Sequence, residues 1–256
     1  MPRTDGTIGK NLSGMEFPVY LTIGGMKIHP HPVFESIAYF VSLRLALRRF
    51  RKSDVEPQQR GVVIVGGLTG GMVGAKLLAV VQHLDLLWTG QVNVGVLLLG
   101  GKTIVGALLG AVFGVEVTKK LLKIETATGD AFAYPLIIGT AIGRIGCFLT
   151  GLSDQTYGTP TTLPWGVDFG DRIMRHPTQL YEVVFMVGLC FFLKYRERKP
   201  YLQGDLFRFY AICYLAFRWA IDFIKPDFHP LLGMSAIQIA CLLGLVYYRQ
   251  AMRRLI

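Results

Sequence analysis

Read from its first residue, the chain alternates long apolar stretches with short polar joints. Seven apolar segments stand out, over residues 32–48, 61–85, 93–117, 130–151, 178–195, 204–224 and 233–249. An α-helix needs about 20 apolar residues to cross the hydrocarbon core of a bilayer. The pattern therefore predicts an all-α integral membrane protein of about seven transmembrane helices, with residues 1–256 forming a single polytopic membrane domain. Basic residues collect at alternate joints: Arg48, Arg49, Arg51 and Lys52; Lys119, Lys120 and Lys123; Lys194, Arg196, Arg198 and Lys199; and Arg249, Arg253 and Arg254. The joints near 86–92 and 225–232 are almost free of Lys and Arg. Cytoplasmic loops carry the positive charge, so the N-terminus is expected outside and the C-terminus in the cytoplasm. The 152–177 joint then faces outward. It is long, rich in Thr, Asp, Gly and Pro, and carries Trp165; long structured loops are often functional.

Composition agrees with the pattern. Hydrophobic residues make up 52% of the chain and charged residues 17%, against about 25% charged in soluble domains. Mean hydropathy is +0.42. These values exclude a disordered chain and argue against an average soluble enzyme. A net charge of +10 would suggest nucleic acid in a soluble protein; here it lies mostly in the joints, and no nucleic-acid partner is expected. Cys147, Cys190, Cys213 and Cys241 lie in apolar stretches without CxxC spacing, so neither a disulfide framework nor a metal site is expected. The opening MPRTDGTIGKNLSG has no apolar core, and no cleavable signal peptide is expected. Gly66, Gly70 and Gly74 recur every fourth residue, as do Gly106, Gly110 and Gly114. Small residues at this spacing bring helix backbones together in lipid.

The chemistry lies in the residues that break the apolar pattern, because ionisable groups inside spans are costly and mark function. Arg44 and Arg48 can snorkel to the cytoplasmic surface. Glu35, Lys76, Lys102, Arg144, Arg218 and Asp222 remain. Arg144 sits late in the fourth span. Tyr214, Arg218 and Asp222 are spaced four apart and share a helix face; an Arg218–Asp222 pair leaves most guanidinium donors free. Two guanidinium forks beside a membrane cavity suit a phosphodiester. Lys102 either snorkels or faces a polar cavity, and Lys76 is similar. His176 precedes Pro177, which suits the first helical position. It is either a base beside Arg175 or a capping residue that orders the loop. Gln179 and Tyr181 are packing or hydrogen-bonding partners.

Gly143-Arg144-Ile145-Gly146 with Phe148, Tyr157-Gly158, Leu163-Pro164-Trp165 and the run Arg175-His176-Pro177-Thr178-Gln179-Leu180-Tyr181-Glu182 resemble the prolipoprotein diacylglyceryl transferase family. The resemblance continues in Tyr214, Phe217-Arg218, Asp222-Phe223, Pro226-Asp227, Met234-Ser235 and Gln238, and Gly74-Ala75-Lys76 is similar to the family's Gly-Ala-Arg. It is weakest over residues 1–60. The resemblance implies a multi-pass transferase of the bacterial inner membrane, with a periplasmic N-terminus. Such an enzyme moves the diacylglyceryl group of phosphatidylglycerol to the lipobox cysteine thiol at a prolipoprotein signal peptide, releases glycerol 1-phosphate and uses no cofactor. It implies Arg144, Arg218 and Tyr214 as catalytic residues; His176 is a catalytic candidate from its chemistry alone. Arg144, Arg218, Arg175, Lys102, Tyr181, Gly158, Asp154 and Gln179 are expected around the lipid head group, and the 152–177 loop is expected to form part of the site. Membrane lipids are the remaining partners.

Three positions depart from the family. Its third-span His-Gly-Gly, whose histidine is a proposed base, reads Val105-Gly106-Ala107 here. The asparagine after Gly-Arg-Ile-Gly is Cys147. The glutamate that follows has no counterpart among Leu152, Ser153 and Asp154. A thiol nucleophile still needs its proton removed, and His176, Asp154 and Lys102 are the candidate bases. Two other readings stand beside the transferase: a diverged paralogue with a different acceptor, and a phospholipid-binding membrane protein without turnover. A transporter would favour broken helices and inverted repeats, and the sequence displays neither.

Overall fold

The computed structural model describes residues 16–226 and 233–253. The expectations that fall on residues 1–15, on Asp227 and on Arg254 lie outside the described residues. After a small hairpin, β1 (Leu21–Ile23) and β2 (Met26–Ile28), the helices follow: α1 (Pro30–Phe50), α2 (Pro57–Gln82), α3 (Leu84–Trp88), α4 (Val94–Gly100), α5 (Ile104–Leu122) and α6 (Asp130–Thr150). A 3₁₀ turn (Gly151–Asp154) and a second hairpin, β3 (Val167–Asp168) and β4 (Met174–Arg175), precede α7 (Thr178–Arg196) and α8 (Asp205–Ile221). A 3₁₀ turn (Asp222–Ile224) closes α8, and α9 (Ala236–Tyr247) and α10 (Arg249–Met252) follow. The expected all-α class thus needs one correction: two short antiparallel hairpins stand outside the helices. Each is too short for the alternation of a half-buried strand to show in the sequence.

The helix bounds follow local chemistry. Pro30 and Pro57 take first-turn positions in α1 and α2, where a missing N–H costs nothing. Asn93 and Thr103 cap α4 and α5 through side-chain oxygens. Asp130 reaches across to the backbone N–H groups of Gly204 (2.7 Å) and Phe207 (3.0 Å), capping α8 from another helix. Ser235 and Gln238 form a reciprocal capping box on α9.

The segment expected as one span over 93–117 is broken. Its two parts, α4 and α5, are bent 82° apart at residues 101–103. Gly100 and Gly101 lack side chains to hold the helix, and Thr103 starts a new one. Lys76 fills the break, donating from Nζ to the Leu99 carbonyl at 2.9 Å. It thereby satisfies an orphan acceptor of the α4 terminus.

α2 and α5 pack along their glycines. A Cβ on Gly74 would lie 2.8 Å from Gly110 Cα, and one on Gly70 would lie 2.9 Å from Gly114 Cα. The backbones themselves are therefore in contact, as the every-fourth spacing predicts. α1 packs on α6, where the Ser42 hydroxyl donates to the Pro135 carbonyl at 3.0 Å. The buried core runs through α5, α6, α7, α8 and α9, around Tyr134, Met186, Leu193, Phe209, Tyr214 and Cys241. Apolar side chains also point outward, including Phe40, Leu68, Phe113, Val184, Phe191 and Leu243. An outward apolar face suits lipid rather than water. Among the described residues, α2, α6 with its 3₁₀ turn, and α7 are long and apolar enough to cross a membrane, and α4 with α5 would make a bent fourth span. α1 is long enough but carries Glu35, Arg44, Arg48 and Arg49, and α9 has 12 residues.

Candidate active site

Arg144 on α6, Glu182 on α7, and Tyr214 and Arg218 on α8 meet in the interior. Their exposures are 6%, 2%, 0% and 4%. Glu182 is the hub. Its Oε2 lies 2.8 Å from Arg144 Nε and 3.5 Å from Arg218 Nη1, and its Oε1 accepts from the Tyr214 hydroxyl at 2.8 Å. The Arg144 N–H is not aimed at the oxygen, so that contact is an ion pair and not a hydrogen bond. Arg218 Nη2 also lies 3.6 Å from Asp222 Oδ1, confirming the four-residue spacing on one face. Asp222 accepts from Ser235, and Gln238 donates to the Trp219 carbonyl at 3.2 Å, which ties α9 to the end of α8.

Burial on this scale leaves little water to satisfy polar atoms, and unpaired ones ask for a partner. A guanidinium carries five N–H donors. Arg218 Nε and Nη1 have no hydrogen-bond acceptor, and Gln179 Nε2 and Oε1 are buried with no hydrogen-bond partner. Gln179 lies one helical turn before Glu182, on the same face of α7. The site thus offers unspent donors from two arginines and an amide in a dry interior, where they act more strongly than in water. This is an arrangement for an anion with several oxygens.

The outer loop docks beside this cluster. Thr159 N donates to the Ile224 carbonyl (2.8 Å), Gly158 N to the His176 carbonyl (2.9 Å), and His176 N to the Thr159 carbonyl (3.1 Å). Gly158 is a packing position, because a Cβ there would lie 2.7 Å from His176 Cβ and 2.9 Å from the Ile224 carbonyl. His176 Nδ1 is 3.1 Å from the Tyr181 hydroxyl, which also accepts from Trp165 Nε1 at 2.8 Å. Arg175 pairs with Asp171 at 2.6 Å and lies over the Tyr157 ring. That hydrogen bond holds the Asp171 carboxyl below its ordinary range.

A third group lies at the outer end of α1. Lys102, in the break before α5, pairs with Glu35. Asp154 pairs with His31 Nδ1 at 2.8 Å and accepts from Thr156. Cys147 joins this group to the buried cluster, since Arg144 Nη1 lies 3.9 Å from its Sγ. His31, Cys147 and Asp154 bring polar atoms within 4.8 Å of one another. Adjacent Arg144 and the closed His31–Asp154 contact suit proton chemistry better than a cation.

The structure therefore joins Arg144, Arg218 and Tyr214, with Gln179 on the α7 face that carries Glu182. His176 and Arg175 belong to the loop, with Tyr181 meeting His176 from the first turn of α7, and Lys102 and Asp154 belong to the outer group. Val105, at the family's histidine position, is 1% exposed in the core. Two residues had no role assigned from the sequence: Glu182, quoted there only as part of a motif, and His31. Glu182 is an intramembrane carboxylate, and the rule that singled out Arg144 applies to it equally. His31 had a weaker signal, its four-residue spacing from Glu35.

A family profile described as prolipoprotein diacylglyceryl transferase matches residues 18–252. The chain is 30% identical over 243 residues to the phosphatidylglycerol–prolipoprotein diacylglyceryl transferase of Nitratidesulfovibrio vulgaris, covering 88% of each. It is 29% identical over 219 residues to that of Clostridium tetani, covering 82% of the chain and 86% of the relative. It is also 29% identical over 232 residues to that of Coxiella burnetii, covering 86% and 85%.

Proposed function

The chain belongs to the prolipoprotein diacylglyceryl transferase family, and from that membership we propose that it transfers the diacylglyceryl group of phosphatidylglycerol to a prolipoprotein lipobox thiol. It is a membrane enzyme. The finer reading is a single polytopic domain of seven spans in the bacterial inner membrane, N-terminus outside, with the 152–177 loop covering the site. The alternating basic joints support that orientation.

The observation that carries the catalytic assignment is the buried Arg144–Glu182–Arg218 cluster with unspent donors. Glu182 holds both guanidinium groups in fixed positions, and Tyr214 fixes Glu182 from its other oxygen. The lipid phosphate enters between the arginines, and Gln179 meets one of its oxygens. As the carbon–oxygen bond to the phosphate breaks, negative charge grows on glycerol 1-phosphate. Preorganised donors stabilise that charge most in the transition state. His176, Tyr181, Gly158 and Arg175 shape the loop side of the head-group pocket, and Lys102 and Asp154 lie on its outer side.

Arg144→Ala and Arg218→Ala are each expected to lower transfer of labelled lipid by about 10²-fold or more. Full transfer by both variants refutes the assignment. The second reading, phospholipid binding without turnover, rests on Val105 in place of the family's histidine. Rescue of a strain depleted of its own diacylglyceryl transferase refutes it, whereas failure to rescue with good membrane expression supports it.

A further inference from the structure

We propose that His31, oriented by Asp154, is the general base that deprotonates the acceptor thiol; the inference rests on the transferase reading above. The two side chains come from different elements, the first turn of α1 and the 3₁₀ turn after α6. His31 Nδ1 lies 2.8 Å from Asp154 Oδ1. A carboxylate opposite Nδ1 fixes the proton there and leaves the lone pair on Nε2. The Nε2 atom has Glu35 Oε2 at 3.5 Å, too far for a hydrogen bond. Glu35 takes Lys102 and the Tyr39 hydroxyl (3.0 Å) through its other oxygen, Oε1, so those two bonds hold the carboxylate in place beside Nε2.

Accessibility separates the pair into a base and its support. The His31 side chain is 28% exposed and that of Asp154 only 6%. The groups around His31 are His29 at the N-cap of α1, Glu35 with the Tyr39 and Lys102 bound to it, Cys147 and beyond it Arg144 on α6, and Asp154. Cys147 Sγ lies within 4.8 Å of the dyad and 3.9 Å from Arg144 Nη1. A short path thus runs from an accessible imidazole to the phosphate-binding arginines. His176, at the end of the loop, is engaged with Tyr181 of α7, and Val105 cannot accept a proton.

In the reaction, the thiol proton passes to His31 Nε2. The sulfur attacks the glyceryl methylene carbon as the carbon–oxygen bond to the phosphate breaks. The electron pair leaves with glycerol 1-phosphate, a thioether forms, and His31 returns the proton to water or to the departing phosphate.

The test uses the full chain in detergent micelles with labelled phosphatidylglycerol and a lipobox peptide. His31→Gln is expected to lower kcat by about 10²-fold or more, with KM for the lipid unchanged and the acidic limb of the pH–rate profile gone. Asp154→Asn, a change at a positioning residue, is expected to lower kcat in the same direction, and it decides the matter if His31→Gln does not fold. A peptide bearing selenocysteine, whose selenol ionises without help, is expected to restore the rate of His31→Gln; a purely structural role for His31 would give no such rescue. Wild-type kcat and an intact acidic limb in His31→Gln overturn this inference alone. An inactive wild-type chain overturns the transferase reading and the inference with it.

Discussion

Replacing Glu182 by Gln tests the hub directly. The substitution keeps the shape and an oxygen for Tyr214 but removes the charge that faces both arginines, 2.8 Å from Arg144 and 3.5 Å from Arg218. At 2% exposure, water cannot replace it. Breaking a buried ion pair by removing one partner costs about 3–5 kcal/mol, because the remaining charge is left desolvated. At about 2–4 °C per kcal/mol for a chain of this size, the melting temperature is expected to fall by roughly 6–20 °C. Phosphatidylglycerol should then stabilise the variant more than the wild type, because its phosphate becomes the missing counter-ion; binding to the native state raises stability by mass action. Thermal unfolding in detergent, with and without added lipid, measures both effects. A variant that melts within the about 0.5 kcal/mol expected of a surface substitution, or that gains no more from lipid than the wild type, refutes Glu182 as the electrostatic centre of the site.

Gly74→Leu places a side chain against the Gly110 backbone and is expected to separate α2 from α5, seen as lost thermal stability and aggregation; Gly188→Ala, with open space around it, should stabilise α7 by about 0.5–1 kcal/mol. The Asp171–Arg175 pair predicts a pH effect on the outer loop. Because the folded-state value of Asp171 is lowered from 3.8, its stabilisation is present above that value and lost as pH falls through the lowered one. Loop proteolysis by an acid-active protease should therefore rise at low pH in the wild type, and Arg175→Ala should flatten that rise.

The helices, the glycine contact and the two arginines were legible because each is written in local spacing. Apolar stretches mark helices, a four-residue glycine period marks a backbone contact, and a charge in an apolar run is visible without knowing its neighbours. The Arg218–Asp222 pair belongs to this class, since four residues along a helix fix the distance. The break at 101–103 was less legible, because Lys102 reads equally as a snorkelling residue and as a cavity residue until it is seen paired with Glu35.

What the tertiary structure alone decided is which charges meet. Arg144, Glu182 and Arg218 lie on three helices, and His31 and Asp154 on elements separated by nearly half the chain. No periodicity encodes such contacts. They exist because α1 packs on α6, and α6 on α7 and α8, and because a buried charge needs its partner within a few ångströms to offset the loss of water. The sequence by itself determined a membrane-embedded helical chain with two intramembrane arginines; packing decided that one carboxylate holds both, and that a histidine and an aspartate meet at the outer edge of their site.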